Sequence, residues 1–167
     1  MRDARRLFAA GRYFATSKDV FTSPLLRRIA ASQCVAAYLA MGSEPDVMPL
    51  VAKAKSLALP RINADNRMDF IRWQPDDPLD IWRGIAQPRD GAERVAPDLV
   101  LVPLVGFDRR GNRLGQGGGH YDRTLARLPT TRRIGIGWSI QEIAVLPAEP
   151  HDIRLDAILT EREWIVP

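Results

Sequence analysis

Residues 98–128 read DLVLVPLVGFDRRGNRLGQGGGHYDRTLARL. From Leu99 to Val105 every residue is apolar and valine recurs, the composition of a strand covered on both faces. Pro103 removes one ladder donor, so the strand is expected to bulge or end there. Asp108-Arg-Arg-Gly111 is a hairpin-type turn, and Gly115–Gly119 follows with Gln116 as its one non-glycine residue. The run opens into a helix on which Tyr121, Leu125 and Leu128 share a face and which Pro129 stops. A buried strand, a glycine loop and a helix in that order begin an α/β fold.

The flanking sequence extends the alternation. Arg2–Arg28 reads as interrupted helix, Gln33–Ala40 as a short buried strand, Val47–Lys55 as a short helix and Ser56–Pro60 as a strand. Arg67–Trp73 alternates apolar with polar residues, and Pro75–Pro97, rich in Pro, Asp and Gly, is expected to be mostly loop. Arg133–Trp138 and Asp156–Leu159 add two short strands. Strands alternating with helices predict a three-layer α/β fold with a mainly parallel sheet, in one domain over 1–167.

Apolar residues are 46% and charged residues 26%, ordinary values for a globular chain. No apolar run is long enough to span a bilayer, and nothing after Met1 reads as a signal peptide. The single cysteine, Cys34, forms no internal disulfide and excludes a cysteine-built zinc site. A soluble cytoplasmic protein is the expectation. Net charge is +4, yet between Val105 and Arg133 arginines 109, 110, 113, 123, 127, 132 and 133 face only Asp108 and Asp122. The basicity therefore belongs to the glycine segment, which favours a compact anion over a nucleic acid spread across the surface.

A glycine-rich strand-to-helix loop lets backbone N–H groups converge on a phosphate. The dinucleotide pattern G-x-G-x-x-G fails from Gly115 because its last place holds His120, and no Gly-Lys-Ser/Thr follows for a Walker loop. What remains is a different phosphate loop with Arg113 as its cationic arm, or a tight turn that requires positive φ. Asp122, in the first helical turn, either complements the helix dipole or holds magnesium beside a phosphate, with Asp152 of 150-PHD-152 as a second acid.

Asp98-Leu-Val-Leu-Val-Pro103, Gly106-Phe-Asp108, Gly111-Asn-Arg-Leu-Gly-Gln-Gly-Gly-Gly-His-Tyr-Asp-Arg123, Leu146-Pro147 and His151-Asp152 together resemble the 5-formyltetrahydrofolate cyclo-ligase family. The likeness runs from about Tyr38 to Thr160. It implies a three-layer α/β/α sandwich with a mainly parallel, Rossmann-like sheet. It also implies magnesium- and ATP-dependent conversion of 5-formyltetrahydrofolate to 5,10-methenyltetrahydrofolate, with ADP and phosphate released. Small-molecule substrates, no nucleic acid or membrane partner, and a monomer go with it. The alternative is a family member that binds folate or nucleotide with little or no turnover.

Carried over residue by residue, the resemblance places Arg113, Leu114, Gly115, Gln116, Gly117, Gly118, Gly119, His120 and Tyr121 along the ATP phosphates. The stretch from Gly117 to Tyr121 also meets the folate. Arg113, Tyr121 and Asp122 become the catalytic candidates, and Asp122 with Asp152 the magnesium acids. Glu44 falls where the family contacts the reduced pterin, with Leu39 and Met41 lining the same pocket. Met68, Phe70 and Trp82 are candidate pocket walls by the resemblance and equally core residues by periodicity. His120 stands where the family usually has tyrosine. For the basic N-terminal helix of the family, the chain offers Arg2 and Arg6, spaced to share one helical face.

Overall fold

Leu99 and Leu101 point into one hydrophobic cluster, Val100 and Val102 into a second, and all four are fully buried. A strand with two apolar faces requires a layer on each side, and the computed structural model supplies both. It describes residues 1–12, 14, 22–149 and 151–167. The chain runs through helices α1 (Arg2–Ala9) and α2 (Ser23–Ala31), strand β1 (Val35–Ala36) and the one-turn helix α3 (Met48–Val51). Strands β2 (Leu57–Ile62), β3 (Met68–Arg72), β4 (Leu79–Trp82), β5 (Ile85–Pro88) and β6 (Arg94–Val95) follow. Next come β7 (Leu99–Pro103), β8 (Gly106–Phe107), β9 (Arg113–Leu114) and helix α4 (His120–Leu125). Strands β10 (Arg132–Ile136), β11 (Ala157–Leu159) and β12 (Trp164–Ile165) complete the fold.

The main sheet has the order β12-β11-β10-β7-β1-β2-β3-β6. Its five middle strands, from β11 to β2, are parallel; β12 and β3 run antiparallel to their neighbours. Side-chain alternation along β7 divides the core between the two faces. On one face Leu25 and Ile29 of α2, one helical turn apart, and Leu50 and Val51 of α3 join Leu99, Leu101, Ile134 and Ile136. On the other, Leu125 of α4 joins Val100, Val102, Phe107, Leu155 and Ile158. This is the expected three-layer α/β/α sandwich, and β7 ends at Pro103 as its missing N–H requires.

Two expectations change. Residues 75–97 hold the β4–β5 hairpin and β6 rather than mostly loop. The hairpin turn is Arg83-Gly84, and both residues have positive φ (49° and 79°), as a tight two-residue turn needs. The prolines and glycines there punctuate short strands. The helix expected over Val47–Lys55 is a single turn, Met48–Val51. Of the interrupted N-terminal helix, α1 and α2 are present; residues 13 and 15–21 between them lie outside the described residues.

The order in which the strands are laid down locates the site. After β1 the chain adds β2 on one side and later returns to place β7 on the other. The connections leaving the carboxyl ends of β1 and β7 therefore part in opposite directions, and the crevice between them is where open α/β sheets bind ligands.

Candidate active site

Both walls of that crevice carry residues singled out in the sequence. Beyond β1, Ala37–Glu44 leads to a carboxylate that is only 9% exposed. Met41 N–H donates to Glu44 Oε2 at 3.0 Å, and Gln116 Nε2 donates to Oε1 at 3.3 Å. An arginine outside the sequence candidates, Arg5, brings NH1 to 3.7 Å from Oε1. Burial raises the Glu44 carboxyl above its ordinary range, while the Met41 N–H, Arg5, Gln116 and Arg2 pull it back down. Tyr38 is buried beneath this loop and donates its hydroxyl to Pro45 O at 2.9 Å. Burial first, then Glu44, pushes the Tyr38 phenol well up.

Beyond β7, the β8–β9 hairpin delivers the chain to the glycine run. Its turn is built on Asp108, which is fully buried. Asp108 Oδ1 accepts from Arg110 N and Asn112 N, each at 3.0 Å, and Oδ2 from Asn112 Nδ2 at 2.8 Å and Leu146 N at 3.1 Å. Burial works to raise this carboxyl, but these donors outweigh it and hold it below the usual aspartate range.

Gly117 and Gly119 sit at φ 90° and 61°, the left-handed region that side chains resist. Gly118 is limited by space instead: a Cβ there would come within 2.7 Å of the His120 ring, which would have to shift. His120 Nδ1 lies 3.3 Å from Arg123 NH2, and the imidazole also hydrogen-bonds the Asn66 backbone. Burial, then Arg123, lowers its pKa, so the ring is neutral near pH 7.

Helix α4 begins at the end of this loop and places Asp122 in its first turn. Asp122 Oδ1 accepts from Arg113 NH2 at 2.6 Å and from Ile153 N at 3.1 Å, and Arg113 NH1 donates to Ile153 O. The Arg113 side chain is 5% exposed. Its guanidinium is clamped between Asp122 and the 153 peptide rather than extended from the loop as a free arm. Tyr121 turns toward the same region: burial and the Glu44 charge raise its phenol, and Arg113 opposes them.

The structure thus gathers Glu44, Gln116, Tyr121, Arg113 and Asp122 around one crevice. Asp152 precedes Ile153, so it shares the segment hydrogen-bonded to Asp122, and its Oδ2 accepts from Glu149 N at 2.7 Å. Met41 is exposed at the crevice and Leu39 packs against the core below. Met68 and Phe70 are core residues, and the Met68 carbonyl accepts from Thr124 Oγ1 at 2.8 Å. Trp82 lies on the β4–β5 hairpin under the Arg83 guanidinium, 4.5 Å away, and lines an open cavity of about 430 Å³ with Arg61, Asn63 and Arg67. Arg2 and Arg6 are exposed, Arg2 within electrostatic reach of Glu44. Arg5 escaped the sequence reading. It shares a helical face with Phe8 and Ala9, and an arginine on an apolar face was the available signal.

Among the described residues no three metal-ligating side chains cluster. Asp122 Oδ2 and Asp152 Oδ1 carry no hydrogen bond there, which leaves one free oxygen on each acid. A free carboxylate oxygen is the donor type that a hard cation such as magnesium takes alongside phosphate and water.

Residues 1–161 match the model of the 5-formyltetrahydrofolate cyclo-ligase family. The chain belongs to this family. It is 32% identical over 152 residues to the Escherichia coli 5-formyltetrahydrofolate cyclo-ligase, covering 81% of this chain and 84% of the relative. The match to the Haemophilus influenzae cyclo-ligase, 40% identical over 97 residues, spans 54% of this chain and about half (52%) of that relative. Among solved structures, Aquifex aeolicus 5,10-methenyltetrahydrofolate synthetase aligns with TM-score 0.74 at 31% identity, over 99% of this chain and 84% of that one. A Mycoplasma pneumoniae 5,10-methenyltetrahydrofolate synthetase shares the fold, with TM-score 0.68 at 22% identity and 96% of each chain covered. No helix among the described residues is long and apolar enough to cross a membrane.

Proposed function

We propose that this chain converts 5-formyltetrahydrofolate to 5,10-methenyltetrahydrofolate with ATP as co-substrate, releasing ADP and phosphate. The hydrogen bond from Gln116 to Glu44 carries the assignment. It joins a glycine loop suited to phosphate to a buried carboxylate suited to a pterin, across the crevice where a three-layer sheet binds ligands. Two substrates bound to these two walls meet at the contact.

A formamide oxygen is a poor leaving group, so ring closure needs it activated. The formyl oxygen attacks the γ-phosphorus of ATP, and ADP leaves. The N10 amine then adds to the formyl carbon and gives up its proton, and the oxygen departs as part of phosphate. The protein's share is placement and charge. The glycine loop offers N–H groups to the phosphates, with Leu114 and His120 at its ends. Glu44 anchors the pterin, with Leu39 and Met41 beside it. Tyr121 lies within electrostatic reach of both Glu44 and Arg113. Arg113 fixes the direction of Asp122 through their 2.6 Å contact. Asp122 and Asp152 would hold magnesium, which when bound neutralises triphosphate charge. A cytoplasmic location goes with the nucleotide co-substrate and the single cysteine.

The test is to incubate the pure protein with 5-formyltetrahydrofolate and magnesium-ATP and to follow methenyl absorbance together with ADP. Product requiring both substrates is expected. Binding of either without product at high enzyme concentration would leave a family member without turnover.

A further inference from the structure

The N-terminal cations that the resemblance offers are Arg2 and Arg6; Arg5, on the same helix, is buried and points elsewhere. It is the one buried residue of α1, 7% exposed. Its Nε donates to Ser43 Oγ at 3.0 Å and its NH1 to Leu104 O at 3.2 Å, with Glu44 Oε1 at 3.7 Å from the same NH1. One guanidinium thus joins α1, the loop after β1 and the first residue after β7, which are the two walls of the crevice and the helix that caps them. A second tie runs alongside. Trp138 Nε1 donates to Ser43 O at 2.8 Å, and its ring meets Phe8 of α1 edge-on at 5.9 Å.

Resting on the proposed function, we infer that Arg5 is a positioning residue for the folate half of the site. It holds Glu44 and its loop against the end of β7, and it is not a phosphate-binding cation. A guanidinium holds its donors in a rigid planar fork that reaches two separated acceptors at once, whereas the three donors of an ammonium radiate from a single nitrogen on a flexible stem. Glu44 supplies the means by which Arg5 acts on the substrate. A carboxylate this enclosed keeps its charge only with partners, and Arg5 is the buried cation beside it. The other groups facing Glu44 are Arg2 from α1, Tyr38 from beneath its own loop, Tyr121 from α4, and neutral Gln116 from the glycine loop. Neither tyrosine ionises near neutral pH, so the charge balance at Glu44 turns on Arg5, with exposed Arg2 the lesser contributor.

The experiment compares wild type with Arg5→Gln and Arg5→Lys. Michaelis constants for both substrates are taken across pH 5–8, and the Glu44 carboxyl is titrated by NMR in the ligand-free protein. For Arg5→Gln the KM for 5-formyltetrahydrofolate is expected to rise roughly tenfold or more. The KM for ATP should stay within about twofold of wild type. The Glu44 midpoint should move up, and the low-pH rise in folate KM should begin at correspondingly higher pH. Arg5→Lys, which keeps the charge but loses the double anchor, should leave the Glu44 midpoint near wild type while the folate KM still rises.

A rise in ATP KM with folate KM unchanged would overturn the inference, as would a Glu44 midpoint indifferent to Arg5→Gln. Should Arg5→Gln fail to fold, Ser43→Ala removes one anchor alone and must still raise the folate KM selectively. A wild type without turnover defeats the proposed function instead. The NMR titration then still decides whether Arg5 governs Glu44.

Discussion

Gln116 Nε2 and Glu44 Oε1 lie 3.3 Å apart although 72 positions separate them in sequence. This contact ties the glycine loop to the carboxylate on the opposite wall. Removing it with Gln116→Ala should raise the folate KM about fivefold, the net scale of one typical hydrogen bond. It should also weaken any effect of bound ATP analogue on folate affinity. Gln116→Glu should be worse, because a second carboxylate then faces a buried one. Folate titrations with and without a non-hydrolysable ATP analogue check both. Equal folate affinity in all three proteins would mean that the walls act independently.

Arg113 and Asp122 should separate by kinetics despite their 2.6 Å contact. Asp122→Asn keeps an acceptor for Ile153 N–H but removes the charge, so kcat should fall about 100-fold or more while folate binding stays within about twofold. Stripping magnesium with a chelator should abolish wild-type turnover and change little in the variant. Arg113→Ala should raise the KM for ATP more than that for folate, because what it loosens is Asp122. Steady-state kinetics with each substrate varied in turn give the comparison, and the opposite ordering for Arg113→Ala would place the loop against the folate.

Asp108 answers to stability. Its four donors come from three residues, and Asp108→Ala leaves the Asn112 and Leu146 N–H groups without an acceptor in a buried turn. About 3 kcal/mol should be lost in urea unfolding at pH 7. The native carboxyl titrates below its unfolded value, so its contribution is complete above the unfolded value and disappears as pH falls through the native one. The gap between the wild-type and Asp108→Ala stability curves should therefore be constant from pH 7 to 5 and close below about pH 4. A gap independent of pH would show that the neutral turn is equally sound.

Apolar runs and glycine spacing made much of this legible before the structure. Leu99–Val105 announced a doubly covered strand because seven apolar residues in a row leave it no solvent face. The glycine motif located the loop and Asp122 because the physics of a phosphate cradle is local. Other features depend on sequence-distant partners. Arg5 reaches Ser43 and Leu104, and Arg113 reaches residue 153; no spacing rule records such pairs. Arg113 read as a free cation because its carboxylate partner was visible but the direction of the guanidinium was not. The β4–β5 hairpin was hidden for a different reason: its strands are four residues each, and turn residues outnumber the alternating ones.

His120 gives the most discriminating test of the loop. Gly118 has no need of positive φ, so alanine there is objectionable only for space, and the atoms in the way are the His120 Cδ2 and Nε2, 2.7 and 2.9 Å from an added Cβ. In wild type, Gly118→Ala must push the imidazole aside and break its contacts with Arg123 and the Asn66 backbone. A rise in ATP KM of about fivefold to tenfold is expected, with about 1 kcal/mol lost in stability. In a His120→Ala background nothing remains to displace, so the same Gly118→Ala change should cost much less. The non-additivity, on the order of 1 kcal/mol, measures the contact directly. Additive losses in the two backgrounds would mean that the ring does not lie over Gly118, and that this glycine is there to leave its N–H open to phosphate.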